Sequence, residues 1–487
     1  MNHSKYQRFI LHPGVILISG IVLLAATSCK KELVRINKNP NAVENPQPDY
    51  LLGSAEKNGA DVYWGQSSNF ASSELITQQW AMIQYTDPDR YIFNANSFST
   101  LWTTIYSSTL TDLKKMMALA EQQNNKNYIG VGHVLRAWNF QLLTDAFGNV
   151  PYSQAGQIEQ SSVAAYDAQK DVYTGLLKEL DTALSYLNSE DAPIQGDLIY
   201  NNDISNWRRF ANSLKLRIAL RIVDADPDLA KYTVQKVLSS KELISSNDQT
   251  AAFVYGASPN WNPVAANFST RNDYRISKTM VDRLYQLNDP RLPVYASLPE
   301  NPDITKYVGV PNGLTTSDAN SLGLANTSKP GSYFLADNAP AVIESYSEVL
   351  FLRAEAAARG LSAENAESLY KQAITASLNQ YGISEETTVN EYLNQATVKF
   401  DADNYKKSIG IQKWIALFGQ GLEAFAEWRR LDYPELTAAV SGKYGKNIPV
   451  RFIYPSIEQT LNRKAYKLAV AAQGTDDLFT KLWFDKY

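Results

Sequence analysis

Ser347-Glu-Val-Leu-Phe-Leu-Arg-Ala-Glu-Ala-Ala-Ala-Arg-Gly360, with the run 363–381 behind it, is the stretch whose reading decides the fold. Apolar residues recur in it at spacings of three and four, the mark of a helix with one buried face. The first helix is expected over 343–359, the second over 363–381. Gly360 and Gly382 stand where a helix C-terminus calls for glycine. Ser362 and Asn365 supply a polar start for the second helix. So short a turn forces the two helices antiparallel. Ala354, Ala356, Ala357, Ala366, Ala373 and Ala376 let their backbones approach closely. This is the physical content of a tetratricopeptide-like pair, although no strict repeat period runs through the chain.

The same periodicity extends outward. Leu101, Ile105, Thr109, Leu113, Met116 and Leu119 share one face of a helix predicted at 99–122. Further helices are expected at 129–143, 169–187, 207–223, 228–240 and 408–430. Pro227 fits the first turn of the fifth, and Asp224-Ala-Asp-Pro-Asp228 reads as a helix stop and start. The same pentapeptide begins like a calcium loop, but Leu229 occupies the place where that loop needs glycine. The segments 61–97 and 245–341 differ, being rich in Asn, Ser, Gly, Pro and aromatics. Within them, 293–341 is too long for a plain connector, which points to function. The expected architecture is mostly α, a tetratricopeptide-like helical-pair scaffold with an irregular, loop-rich ligand-binding face. Residues 50–487 would form one domain, with helical pairs at about 99–240 and 343–430.

The first residues read as a targeting segment. Lys5 and Arg8 precede the apolar run Val15–Thr27, which at roughly 13 residues is too short to span a bilayer. Ala26-Thr27-Ser28 offers a small-residue cleavage site directly before Cys29, the one cysteine of the chain. A lone cysteine in an exported protein cannot close an internal disulfide. Its position is that of a lipobox, with Ala26 where leucine is usual. Residues 1–28 are therefore expected to be a lipoprotein signal peptide, Cys29 the lipid anchor, and 29–49 an Asn- and Pro-rich tether. Acyl chains add roughly 0.8 kcal/mol of membrane affinity per buried methylene.

Composition narrows the chemistry. Losing the leader removes Lys5 and Arg8, leaving 44 basic against 50 acidic residues. A mildly acidic chain without a basic run is a poor nucleic-acid binder. His133 becomes the sole imidazole, with no thiol to share a metal, so neither a metal site nor a cofactor is expected. Gly130-Val-Gly132 lacks the spacing of a dinucleotide loop. A Ser–His–Asp hydrolase would need His133, which lies inside a predicted helix without a nucleophile elbow. A glycoside hydrolase needs only two carboxylates, but the acids here mostly occupy helix faces. A binding protein, not an enzyme, is the expectation.

Several segments, in order, resemble the SusD/RagB family of nutrient-binding outer-membrane lipoproteins. They are the Cys29 anchor with Asn39-Pro-Asn41, Leu135-Arg-Ala with Phe147-Gly-Asn-Val-Pro-Tyr152, Trp207 to Arg217, and Asp289-Pro-Arg-Leu292. Next come the Ser347–Gly360 stretch, Ile411 to Leu417, Glu423 to Arg430, and Ile448-Pro-Val-Arg-Phe-Ile-Tyr-Pro455. Glu458, Asn462 and Lys481-Leu-Trp-Phe-Asp485 close the series. The resemblance implies a surface lipoprotein on the outer membrane, partnered by a SusC-like TonB-dependent transporter. Its ligands would be oligosaccharides or, alternatively, peptides. A protein-interaction lipoprotein without a small ligand remains a third reading, because tetratricopeptide-like pairs often bind proteins. Lys31-Glu32 partly matches the surface-export signal of such lipoproteins.

In starch-binding relatives the ligand loops fall in regions like 61–97 and 253–335. The aromatics there, Trp64, Trp80, Tyr85, Tyr91, Trp261, Tyr274 and Tyr333, are the candidates for stacking on sugar rings. Each stack is worth roughly 0.5–1.5 kcal/mol by analogy with aromatic pairs. Arg90, Asn94 and Asn96 are the polar candidates. Trp138, Trp207, Trp414, Trp428 and Trp483 are expected to pack in the scaffold. Arg217, Arg353 and Arg429 are expected to pair with carboxylates such as Glu355 and Glu427.

Overall fold

The helical periodicity is realised nearly where the spacing places it. A computed structural model describes residues 46–156 and 163–487, and Gln47–Tyr487 form one compact unit. The leader, Cys29 and most of the predicted tether lie outside the described residues. Helix α1 spans Pro48–Tyr63. Helices α2 (Ser99–Thr104) and α3 (Leu110–Gln122) are joined by a π-helical turn at Ile105–Thr109. Helices α4 (Lys126–Phe147), α5 (Gln169–Tyr186), α6 (Ile204–Arg221) and α7 (Pro227–Ser240) follow. Local chemistry sets their ends. Asp203 accepts from the Ser205 and Asn206 amides to start α6, and Asp226 caps α7 ahead of Pro227. Gly148, with φ of +88°, stops α4.

The deciding pair forms, with one revision. Residues expected to begin the first helix instead make a strand, Ala341–Glu344, buried along its whole length. The β-branched Val342 and Ile343 suit that strand. Ser345 then accepts from the Glu348 amide at 3.1 Å, capping the start of α9 at Tyr346–Ala358. Helix α10, Ala366–Gln380, packs antiparallel on it with Asn365 as its cap. Gly360 and Gly382 both take positive φ, +71° and +76°, as the stops require. The predicted helix 408–430 also divides. It becomes α11 (Tyr405–Ala416) and α12 (Gly421–Leu431), broken at Gly419, whose φ of +88° no long side chain adopts easily.

Four short strands tie the irregular segments to this frame. β1 (Trp80–Met82) pairs antiparallel with β3 (Tyr274–Ile276), Trp80 opposite Ile276. β2 (Ala251–Phe253) pairs with the strand at Ala341–Glu344, now β4, with an irregularity between Ala251 and Ala252. Helix α8 (Pro263–Phe268) lies between β2 and β3 in sequence and packs on the short helix Ser332–Leu335.

A buried lattice of charges crosses the scaffold helices. Arg217 holds Glu348 at 2.7 Å, and Lys413 holds Glu427 at 2.8 Å. Arg221 meets Asp145 at 3.2 Å and also Glu423 and Glu427, while Arg430 meets Glu355 and Glu427. Burial would raise the Glu427 carboxyl, but Arg430, Lys413 and Arg221 hold it well below the usual range. Glu423 and Glu355 are lowered in the same way against their own burial. Arg217 and Arg353 pair with carboxylates as expected, Arg353 with Glu364. Arg429 does not. It donates to the carbonyls of Phe425, Val450 and Asp145, and its neighbour Arg430 takes Glu355 and Glu427. Trp138 and Trp207 are fully buried, Trp414 nearly so, and Trp428 and Trp483 are half-buried against the core. His133 is structural, 3.0 Å from Glu179 and stacked near Tyr186.

Candidate functional site

The strand pair β1–β3 sorts the aromatic candidates. Trp80 and Tyr274 sit on it and face inward, packed with Phe70 and Phe268. Trp64 is buried beside Gly419, where a Cβ would come within 2.7 Å of its ring, and its indole donates to the Val342 carbonyl at 3.2 Å. Tyr91 is wholly buried, and its burial pushes the phenol well above its ordinary pKa. These four rings are corrections to the sequence expectation. Alternation and loop-like composition do not reveal burial, and rings this large are enclosed by core packing instead of offered to a ligand.

Past the end of β1 the chain turns outward at Tyr85, which is 65% exposed. Its backbone is left-handed, with φ of +52°. A bulky residue in that region is strained, and such strain persists where the surroundings impose it, often at binding sites. The Arg271 guanidinium lies 5.2 Å from the Tyr85 ring centre, a cation–π contact. Asp273 holds Arg271 by a hydrogen bond and ion pair that raise the guanidinium pKa. Gln66, exposed nearby, donates to the Tyr274 hydroxyl at 3.0 Å.

The Tyr85 loop is pinned from beneath by Asp89. This buried carboxylate accepts from the Met82 amide at 3.2 Å, the Asn312 amide group at 2.8 Å and the Gly313 amide at 2.9 Å. Burial raises it to about 6, with those donors opposing the shift. Arg90 is committed to the same task, donating to the Ser441 carbonyl at 3.0 Å. Asn94 is exposed and turns on itself, its side chain accepting from the Asn96 amide at 2.9 Å.

Trp261 and Tyr333 flank the same surface through α8. Asn262 caps α8 by accepting from Val264 at 2.7 Å and anchors to the Ala339 carbonyl at 3.0 Å, leaving Trp261 half-exposed at the helix start. Tyr333 is half-buried against Phe334 and Tyr381. With six residues, α8 puts about 9 Å between its two ends. Trp261 thus heads α8 and Tyr333 lies on the short helix that α8 packs against, the chain past the other end of α8 carries Arg271 to Tyr85, and Trp64, Trp80, Tyr91 and Tyr274 are buried. Arg271 and Gln66 were absent from the sequence candidates. The signal for Arg271 is its place in the polar run that leads into β3. Nothing in the sequence marks Gln66.

The face offers stacking rings, a fixed cation and carboxamides. Among the described residues no group of His, Cys, Asp and Glu is placed to hold a metal ion. No helix there is long and apolar enough to cross a membrane.

Residues 40–455 match a SusD-like family described as starch-binding and associating with the outer membrane. Among solved structures, a chitin-binding protein is 27% identical with a TM-score of 0.82, over 91% of this chain and 100% of its own. A chitin-binding SusD homologue from Flavobacterium johnsoniae is 25% identical with a TM-score of 0.81, over 90% and 99%. A SusD homologue from Bacteroides thetaiotaomicron, 24% identical with a TM-score of 0.79 over 91% and 100%, shares the fold. No curated protein matches the chain. With six-sevenths of its length matched and a tetratricopeptide-like scaffold under a loop-built face, the chain belongs to the SusD-like family.

Proposed function

We propose that this protein captures oligosaccharides on the Tyr85 face and delivers them to a SusC-like TonB-dependent transporter, without turning them over. The observation that carries the reading is Tyr85 itself, an exposed ring held in a left-handed backbone with a cation against it. A flat ring 65% exposed at a conformational cost repays little of that cost by packing. Sugar C–H faces stack on such rings, and Arg271, Gln66 and Asn94 stand ready for hydroxyls. The chitin-binding relatives favour amino-sugar oligomers among the possible ligands. Lipid anchoring through Cys29 would keep the face outside the cell, over the transporter, as the family's association with the outer membrane suggests.

Calorimetric titration with starch- and chitin-derived oligosaccharides, with product sought in the same samples, tests the proposal. Saturable binding that Tyr85→Ala weakens by about five- to tenfold, the loss of one aromatic contact of roughly 1 kcal/mol, is expected. Release of shorter sugars would overthrow it. Binding confined to peptides would replace the ligand class.

A further inference from the structure

Among the described residues, Arg271 is the one cation in contact with the Tyr85 ring. Its side chain is 45% exposed, whereas that of Asp273 is only 4% exposed. A single oxygen of Asp273, Oδ2, accepts from Arg271 Nε and meets Nη2 in an ion pair. Nη1 is left without a protein acceptor among the described residues. The cation on the face therefore arrives with its counter-charge already attached.

The turn around it builds this pairing in. The Arg271 amide donates to the Asn267 carbonyl at 2.9 Å, at the end of α8. The Asp273 carbonyl accepts from the Ile83 amide at 2.8 Å, just past β1. Arg275, wholly buried, donates to the Asn272 carbonyl at 3.1 Å, to Asn272 Oδ1 at 2.9 Å and to the Tyr274 carbonyl at 2.7 Å. It also reaches across to the Leu324 carbonyl at 3.0 Å and the Thr327 hydroxyl at 2.9 Å. All of these acceptors are neutral, so Asp273 is left to Arg271. Over residues 85–90 and 271–275 the cations Arg90, Arg271 and Arg275 stand against Asp87, Asp89 and Asp273. The charges sum to zero when all three carboxyls are ionised.

An unpaired guanidinium offers a carboxylate or sulfate a fork of parallel N–H donors. Here Asp273 fills that fork. What remains is an N–H beside an aromatic ring, which suits a neutral acceptor such as a hydroxyl or an acetamide carbonyl. An anionic sugar would shed its hydration for a site with no charge to offer in return. We propose that Asp273 is the specificity-determining residue of the Tyr85 face: by occupying the Arg271 fork it admits neutral sugar rings and excludes uronic-acid and sulfated ones. The inference rests on the reading of that face as a saccharide site.

Calorimetric titration of the full chain above neutral pH, with N,N′-diacetylchitobiose and with digalacturonate, provides the test. Wild type should bind the neutral disaccharide, and the acidic one at least about tenfold more weakly. Asn keeps the size of Asp273 and one acceptor oxygen, so Asp273→Asn should fold with a similar melting temperature. Its freed Arg271 should bind digalacturonate at least about tenfold more tightly than wild type does. That gain should vanish between about 20 mM and about 500 mM salt, and in Asp273→Asn/Arg271→Gln. Affinity for diacetylchitobiose should change less than about threefold. A wild type that takes digalacturonate as tightly as the neutral sugar would overturn the assignment without any variant. So would a folded Asp273→Asn protein with unchanged preference. Tyr85→Ala separates the two readings. If it weakens diacetylchitobiose binding while Asp273→Asn alters nothing, the face stands and its charge selection falls. If it changes nothing, the face falls and takes the selection with it. Silence of wild type and Asp273→Asn with both sugars would overturn both.

Discussion

Glu427 in the scaffold and Asp89 under the Tyr85 loop, both buried carboxylates, are stabilised in opposite ways. Between α6, α9, α11 and α12, carboxylates meet guanidinium and ammonium groups, and Glu427 alone touches Arg221, Lys413 and Arg430. Beneath Tyr85, Asp89 meets only N–H donors, from Met82, Asn312 and Gly313. Cations hold the Glu427 carboxyl well below its ordinary range, but amide donors do not offset the desolvation of Asp89, which rises to about 6. Glu427, Glu423 and Glu355 are thereby held in their ionised form, whereas burial raises the Glu348 carboxyl even beside Arg217. The loop that shapes the face hangs on a carboxylate that can be neutralised within two or so pH units of neutrality.

The comparison breaks first at Arg221. Its replacement by Met leaves Asp145, Glu423 and Glu427 short of a buried cation, at a cost of about 3–5 kcal/mol in denaturant unfolding. A cost below about 1 kcal/mol would mean that Lys413 and Arg430 carry the lattice without it.

The pH dependence sharpens the contrast, because Asp89 acts with opposite sign to Glu427, Glu423 and Glu355. Glu427, Glu423 and Glu355 have lowered folded values, so their stabilisation is present above the ordinary carboxylate range and is lost as pH falls below it, through those lowered values. Asp89 has a raised value. The folded state therefore binds its proton more tightly, and stability falls as pH rises from near 3.8 through about 6. That span corresponds to about 3 kcal/mol. Asp89→Asn should flatten the pH profile between those values while leaving the acid-side loss intact, as chemical denaturation across pH would show.

Trp80 and Tyr85, five residues apart, separate core from face directly. Trp80→Phe should cost about 1–3 kcal/mol of stability through lost packing. Tyr85→Asn, which tolerates the left-handed backbone, should gain up to about 1 kcal/mol in thermal unfolding while weakening saccharide binding. A destabilised Tyr85→Asn protein would show that the ring supports its loop and is not reserved for a ligand.

Much of the scaffold was legible from spacing alone. The α9–α10 pair, its glycine stops and the α6–α7 junction at Asp226-Pro227 all follow from residues within a few positions of each other. The departures share one cause. The segment Ala341–Glu344 joined a strand because β2 lies alongside to pair with it, and Gly419 broke a periodic run because Trp64 fills the space next to it. Both partners are distant in the chain.

The sequence by itself determined the helical-pair class, the order of the helices and the segments that would carry the face, because capping, periodicity and turn chemistry are local. Only the tertiary structure decided which rings the face would show. Trp80 and Tyr85 read alike in a polar, aromatic stretch. The pairing of β1 with β3, from residues nearly two hundred positions away, turns one into the core and leaves the other in water. The same holds for the charges, since Arg429 and Arg430 are adjacent and only the fold brings Glu355 of α9 to the second and the Asp145 carbonyl of α4 to the first. Burial is a property of what lies across the fold, and no window along the chain contains it.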